Sequence, residues 1–547
     1  MNKSFTNTGK LVKFILKRDR IITTVWIVAL VLFSMAVAPT LDSMFSQPEA
    51  RTQFGQSFNN PVMVAMMGPV YGLDNYTTGV MYAGTMLLWI LIAVAIMNIF
   101  FVVRHTRADE ESGRVEVIRS LPTGRIAILH ATMISSGIIN TILAVLLGFA
   151  LAVLGIEGMK LADCILYGAV VGATGLVFAS IAAIFSQLSS NKSTASGLSF
   201  LAVGVFYLIR AAGDVQGSEL LSCISSLGLA QRSQVFVENN IIPIIILEAE
   251  AIIITIAAYM LNSLRDMGQG FIAPRQGRET AAKSMLSPFG FSLRLMYKSL
   301  IIWIVLMFVL GASYGSVISD IPTFVGDSPE YLQVIGVPEM LLNTMSDSQK
   351  AQIIIDYFGV FVVMMMTLLA FVPVMNASLK LRSEEREGRQ EQLIAMAVPK
   401  TRYFVSYIIL AFIISILAQL STAYGLYIST SMTGSGLFTL DGLIKSFLVY
   451  LPAIWVMIGF VVFMTGAFPK ATGAVWGFYG VIFVVAFLGG MPDLLPKWFQ
   501  NISPMQYIPK LPMDTFEFTP LIILTIIASA LIGIGLAYFK KRDLYIA

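Results

Sequence analysis

The chain has 547 residues, of which 56% are hydrophobic and only 12% are charged, and its mean hydropathy is +0.79. A soluble domain usually carries about a quarter charged residues, so this composition excludes a water-soluble globular protein. The net charge of +4 is small, and the positive residues cluster beside apolar runs. That distribution is typical of membrane topology signals and excludes a nucleic-acid-binding stripe, so we expect no nucleic-acid partner.

Apolar runs that can cross a ~30 Å hydrocarbon core follow one another along the chain. In the first half they cover residues 21–40, 83–103, 128–155, 164–187, 195–211 and 241–262. In the second half they cover 300–318, 356–379, 403–428, 443–468, 473–490 and 521–539. The sequence therefore predicts an all-α polytopic membrane protein with about twelve transmembrane helices. The first run continues as a full span, so we expect no cleavable signal peptide.

Charge orients these spans. The segment before the first span carries six bases against Asp19 alone, and the central loop and the tail Lys540–Arg542 are also basic. The loops 41–82 and 319–352 are acidic. Because cytoplasmic loops are enriched in Lys and Arg, we expect both termini and the central loop to be cytoplasmic, in the plasma membrane of a bacterium.

An internal repeat is visible at a displacement of about 275 residues. Arg107–Glu116 and Arg382–Glu391 share the pattern R-x-[DE]-E-x-x-G-R-x-E, and we name them the first and second charged segments. Leu264-Arg265-Asp266 closes the sixth span, as Lys541-Arg542-Asp543 closes the twelfth. We therefore predict two parallel six-helix halves, 1–264 and 300–547, joined by a cytoplasmic linker with a second amphipathic elbow helix at 265–299.

Two interpretations of the charged segments are open. Their acids and bases lie three or four residues apart, which suits a solvated, salt-bridged helix extension. Two matching copies on one side of the membrane favour docking sites for a two-fold-symmetric soluble partner. In either case we expect these charges to lie in water, so that charge reversal at Glu110, Glu116, Glu385 or Glu391 leaves the membrane fold intact.

Several motifs, taken in order and spacing, carry a resemblance to a known family. They are the paired charged segments, residues 60–73, Arg210 to Asp214, residues 264–270 and Ser503 to Pro512. The chain resembles the ABC-2-type permeases, in particular the single-chain, two-half subfamily of polyketide-antibiotic exporters that includes tetronasin-type polyether resistance permeases. One departure is Ser226-Leu227-Gly228, where the family usually has Ser-Pro before the sixth span.

The resemblance implies that each charged segment is a coupling helix seated in a groove of a nucleotide-binding subunit. The docking residues would be Arg107, Asp109, Glu110, Gly113, Arg114 and Glu116, and Arg382, Glu384, Glu385, Gly388, Arg389 and Glu391. The sequence contains no G-x-x-x-x-G-K-[ST] phosphate loop. We therefore expect no catalytic residue, metal or cofactor in this chain, and a separate ATPase subunit, in two copies per permease, that binds ATP and Mg.

The resemblance also implies a cavity between the halves, in contact with membrane lipid and open to a hydrophobic small-molecule substrate. Candidate residues are Phe206, Tyr207, Arg210, Glu248, Met364, Met365, Trp476, Phe478 and Tyr479. Glu248 and Glu250 lie inside the sixth span, where a carboxylate is costly and is by default a functional hypothesis. Their two-residue spacing is roughly 200° of helix, so they face apart. Glu248 either pairs with Arg210 to lock spans five and six or takes part in the passage of a cationic or cation-chelating substrate.

Other functions stay open. An ion-coupled secondary transporter can also have twelve spans, but it predicts buried ionisable residues in both halves, and the twelfth span has none. A lipid- or glycolipid-exporting ABC permease fits the same fold. A membrane enzyme is disfavoured because His105 and His130 suggest no catalytic or metal arrangement. Cys164 and Cys223 both fall on the predicted outer side, either bridged or unrelated.

Overall fold

In the computed structural model, the described residues are 3–57, 61–266, 268–272, 279–318, 346–386, 388–389, 399–432, 438–488 and 496–542, and all regular structure among them is helical. The chain divides into two compact units, Met1–Gly277 and Arg278–Ala547. The prediction of an all-α polytopic membrane protein is confirmed.

The helices of the first unit follow the apolar runs. They are α1 (Thr8–Met44), α2 (Pro48–Ser57), α3 (Pro61–Met67), α4 (Thr78–Val103), α5 (Arg114–Arg119), α6 (Ala127–Val153), α7 (Leu161–Leu188), α8 (Lys192–Val215), α9 (Glu219–Ile224), α10 (Ser226–Gln231) and α11 (Ile242–Leu264). Polar caps define several starts: the side chain of Thr77 accepts from Val80 N at α4, and that of Asn191 accepts from Thr194 N at α8.

The second unit contains helices α12 to α18. They are α12 (Pro288–Val317), α13 (Asp347–Arg386), α14 (Lys400–Met432), α15 (Leu440–Leu448), α16 (Leu451–Ala467), α17 (Ala474–Leu488) and α18 (Phe518–Lys541). Helix α12 begins at Pro288, whose missing N–H costs nothing at the first helical position, and Ser287 caps it. The expected amphipathic elbow helix before 299 is not separate, because it is the first part of α12, just as 10–20 belongs to α1.

Eleven helices among the described residues are long and apolar enough to cross a membrane. The predicted eleventh span, 473–490, is the shorter α17. The predicted tenth span is α15 and α16 in succession, separated by a turn at Val449 and Tyr450 and with Pro452 in the first turn of α16.

Both units bury the same members of their six spans. In the second span of each half 67% of the most apolar stretch is buried, in the fourth 78%, and in the sixth only 17%. Small residues permit the close packing: a Cβ added at Gly168 of α7 would lie 2.1 Å from the carbonyl oxygen of Ala144 on α6. A Cβ at Gly466 of α16 would lie equally close to the carbonyl of Gly535 on α18. Each core is thus built around its second and fourth spans.

Candidate functional site

The first charged segment begins inside the helix that contains the second span. Helix α4 continues through one π-helical turn, Arg104–Ala108, and ends at Glu111. Such turns are often found at functional positions. Gly113 then reverses the chain with a φ of 75°, a left-handed conformation that suits glycine, and α5 follows.

Glu110 lies at the centre of the first charged segment. It accepts hydrogen bonds from Arg107 Nη1 at 2.7 Å, from Arg265 Nη2 at 2.8 Å and from the backbone N–H of Gly268 at 2.7 Å. Arg107 is 1% exposed. Arg265 and Gly268 directly follow α11, so the motif 264–270 folds onto the charged segment. One carboxylate therefore joins the end of the second span to the end of the sixth.

Asp109 and His105 attach the same segment to α1. Arg18 Nη2 donates to Asp109 Oδ2 at 2.7 Å, and Arg114 Nη1 lies 3.1 Å from the other oxygen. His105 Nε2 lies 2.8 Å from Asp19 Oδ2, and both residues are buried. Sequence reasoning missed Asp19 and His105 as site residues; the available signal was a single acid among six bases before the first span.

The second charged segment repeats the central part of this arrangement. Glu385 pairs with Arg382 at 2.9 Å, and it accepts from Arg542, which follows α18, at 2.7 Å. Glu384 pairs with Lys380 at 3.0 Å and with Arg389 at 2.6 Å. Gly388 has a φ of 69°, as Gly113 has 75°. Glu391 lies outside the described residues.

The expectation that these charges lie in water is wrong for most of them. Arg107, Asp109, Glu384 and Glu385 are buried, and the side chain of Glu110 is 10% exposed. A carboxylate and its guanidinium partners can be buried together because they neutralise one another and satisfy their hydrogen bonds. Three charged residues of the first segment, Glu111, Arg114 and Glu116, are exposed. Next to them, Val117 is 70% exposed and Leu121 60%.

Arg210, near the end of α8, is fully buried and binds the end of the short helix α3. Its guanidinium donates to the carbonyls of Val64 and Ala65, and it pairs with Asp214 at 3.2 Å. Tyr207 and Gln231 donate to the next two carbonyls. The last carbonyls of a helix have no partner within it, and a cation is favourable there. These hydrogen bonds therefore hold the motif 210–214 against the helix that belongs to the motif 60–73.

Tyr71, which follows α3 in the same loop, lies near Arg232, Asp214 and Glu219. Burial raises the pKa of its phenol to about 12, so the side chain is neutral at physiological pH. Tyr71 therefore adds no charge beside the Arg210–Asp214 pair.

The predicted pairing of Glu248 with Arg210 is wrong. Arg210 is bound by Asp214 and by the carbonyls at the end of α3. Glu248 forms no hydrogen bond or ion pair with any residue that the structure describes. Glu250 faces elsewhere and accepts a hydrogen bond from Ser226 Oγ at 2.9 Å.

The other predicted cavity residues lie in their own units. In the first, Phe206 packs edge-on against Phe178, and Tyr207 lies beneath the Arg210 guanidinium. In the second, Met364, Met365, Phe478 and Tyr479 pack against the buried core, and Tyr479 donates to the carbonyl of Leu368 at 3.1 Å. Trp476 is 45% exposed and packs edge-on against Tyr479. Cys164 and Cys223 are both free.

Taken together, the fold defines a polytopic membrane protein in which a charged segment is repeated at corresponding places. A family model described as "Multidrug efflux system permease Rv1217c, C-terminal domain" matches residues 285–540. The chain is 31% identical over 545 residues to the multidrug efflux system permease protein Rv1217c of Mycobacterium tuberculosis, covering 98% of this chain and 95% of that protein. The chain belongs to this family of multidrug efflux permeases and is a transport subunit.

Proposed function

We propose that this chain is the membrane-spanning subunit of an ATP-driven exporter that moves hydrophobic drugs, including polyketide-type antibiotics, out of a bacterial cell. The name of the Mycobacterium tuberculosis relative supports the export of drugs. The observation that carries the ATP-driven mechanism is an ion pair that occurs in both units. In each unit one glutamate of the charged segment, Glu110 or Glu385, binds the arginine that follows the sixth span, Arg265 or Arg542. We name each of these arrangements the lock.

The lock makes each charged segment a suitable lever. Because Glu110 holds both Arg107 and Arg265, a force on the segment acts on α4 and α11 together. Glu385 would transmit force to α13 and α18 in the same way. ATP and Mg would be bound by a separate ATPase subunit, present in two copies so that each charged segment has one. Both termini then face the cytoplasm, on the side of the ATPase.

The surface that the ATPase would cover lies beside the lock. Val117 and Leu121 are apolar and exposed, with exposed Glu116 next to them. Exposed apolar side chains with a charged rim are typical of protein interfaces. The buried charges of the lock fix the conformation of the charged segment, whereas Val117, Leu121 and Glu116 would contact the ATPase.

Changing both Val117 and Leu121 to Asp tests the proposal. The full-length protein is purified from its native membranes with any bound ATPase, and co-purified ATPase activity and drug resistance of the cells are measured. We expect both to be lost in the double variant while the melting temperature is kept, because surface substitutions change stability by only about 0.5 kcal/mol.

Leu220→Asp is the matched control. Leu220 is 83% exposed and lies in α9, between the fifth and sixth spans, which the charge pattern places on the opposite side of the membrane, so this variant should retain the ATPase and resistance. Retention of both properties in the double variant would contradict docking at this surface. ATP hydrolysis by the purified permease free of any other subunit would contradict a separate ATPase.

A further inference from the structure

A groove runs along the first unit between three of its spans. Helices α6 and α11 each pack along α7 but scarcely touch one another, so the surface of α7 between them forms the floor. Ala169, Gly172 and Ala173 line this floor, and the cavity volume is about 270 Å³. These three side chains are no larger than a methyl group and therefore leave the space above them open. Gly172 could not accept even a Cβ without crowding Ala144, at 3.2 Å.

The walls of the groove are mostly apolar and carry one charged residue. Val145, Phe149, Ile165 and Ile244 supply hydrocarbon and aromatic surface, and Glu248 supplies a carboxylate. Two further polar residues line it but are already engaged. The amide of Asn140 is bonded to Asn98 and Ser136, and the hydroxyl of Thr141 donates to the carbonyl of Gly137.

Glu248 is therefore the one groove-lining group among the described residues whose hydrogen-bonding capacity is unused. Its neighbour Glu250 is engaged by Ser226 on another face of α11. The position is also unique to one half. A displacement of 277 residues relates Arg265 to Arg542, and the same displacement places the neutral Thr525 at the position of Glu248. The lock therefore forms in the second unit although the residue that corresponds to Glu248 is not a carboxylate, so the lock does not require one at this position.

We propose that this groove binds a lipophilic cation, such as an aromatic onium ion or a protonated lipophilic amine, with the Glu248 carboxylate as its counter-charge. The inference rests on the proposed export function and names a substrate class for it. A carboxylate inside a membrane span is expensive unless a cation compensates it. A bound cation would provide that charge, while the apolar walls and floor would bury its hydrocarbon. A lipid acyl chain would fill the groove but leave Glu248 without a partner.

Tetraphenylphosphonium and tetraphenylborate provide a sharp test, because they have nearly the same shape and opposite charge. Equilibrium binding of both is measured on the full-length permease in lipid nanodiscs. We expect saturable binding of the phosphonium and none of the borate. Glu248→Gln should weaken phosphonium binding by about tenfold or more, because it removes one partner of a partly buried charge pair. Glu248→Asp, which keeps the charge, should retain most of the affinity.

Two further variants separate the groove from general effects. Glu250→Gln is the matched control, since it removes a carboxylate two residues away and should leave binding unchanged. Ala169→Leu fills the floor and should weaken binding while the charge of Glu248 stays. Equal phosphonium affinity in wild type and Glu248→Gln, or equal binding of the two probes, would overturn the proposal. So would a phospholipid that co-purifies in the groove and is not displaced by the phosphonium.

The two proposals fail in different ways. If the groove is not a cation site, cells with Glu248→Gln keep resistance to cationic and neutral drugs alike. If it is, they lose resistance to cationic drugs and keep resistance to neutral ones. If the export function itself is wrong, wild-type cells show no drug resistance in excess of cells lacking the permease, whatever the phosphonium measurement gives.

Discussion

The two charged segments have the same centre and different surroundings. In the first, Glu110 pairs with Arg107 and Arg265; in the second, Glu385 pairs with Arg382 and Arg542. The segments differ at the residue that lies two positions before Arg107 in the first and before Arg382 in the second. His105 reaches across to Asp19 on α1, whereas Lys380 binds Glu384, four residues further along its own helix.

This comparison separates a kept part, which both segments share, from an added part, which the described residues show for the first segment. The kept part joins the second and sixth spans of a unit through one carboxylate, which is the connection needed for a segment to move both spans. The added part attaches the first segment to the first span through Asp19 and through the pair of Arg18 and Asp109. The first segment is therefore held at three helices, and this predicts unequal stiffness of two segments that share one pattern.

Removing the shared carboxylate should have the largest effect. Glu110→Ala and Glu385→Ala each leave largely buried guanidinium groups without their carboxylate, which typically costs about 3–5 kcal/mol. We expect a lower melting temperature and less folded protein for both, measured by fluorescence-detected size-exclusion chromatography after heating. Glu116→Ala, at an exposed position of the same segment, should change stability by no more than about 0.5 kcal/mol. If only one of the two glutamate variants lowered the melting temperature, the lock would not be a feature that both halves share.

Much of the fold could be predicted from the sequence. Apolar runs located the spans because membrane helices must satisfy their backbone hydrogen bonds internally. The repeat found the charged segments and the arginine-containing ends of both halves. The burial of Glu110 could not be predicted in the same way, because its partner Arg265 is 155 residues distant and no local pattern connects them. The parallel endings at Arg265 and Arg542 were the only available signal of this pairing.

The wrong pairing of Glu248 with Arg210 has a similar cause. The depths of the two residues along their helices are compatible, but depth does not fix the direction in which each side chain points. The carbonyls at the end of α3 compete for the guanidinium and bind it. Hydropathy assigns residues 61–67 to the connection between two spans, so it does not reveal the helix end whose carbonyls bind Arg210.

Asp19→Asn should break the asymmetry between the segments. The change removes the negative charge that faces His105 and Arg104 and one of the two acceptor oxygens of Asp19, and hydrogen bonds to charged groups contribute about 1.5–3 kcal/mol each. We expect faster hydrogen exchange of backbone amides over residues 104–119 and no change over 380–386, measured by mass spectrometry on the same sample. The second segment is the internal control. Equal acceleration in both segments would mean that Asp19 stabilises the whole protein and gives the first segment no separate attachment.

The smallest effect should come from the outer pairs, where the halves again correspond. Arg114 binds Asp109 and Arg389 binds Glu384, but the arginine side chains are 65% and 48% exposed, and each buried carboxylate keeps a second base, Arg18 or Lys380. Exposed ion pairs contribute about 0.2–1 kcal/mol, and salt screens them. Arg114→Ala and Arg389→Ala should therefore lower the melting temperature slightly at low ionic strength, and the difference from wild type should shrink when salt is raised. The buried locks at Glu110 and Glu385 should be much less sensitive to salt, because ions screen exposed charges more than buried ones. The contrary result is that Arg114→Ala lowers the melting temperature as much as Glu110→Ala does, at every salt concentration. That result would show that the Arg114–Asp109 pair belongs to the lock, and the distinction between a buried centre and an exposed rim would be wrong.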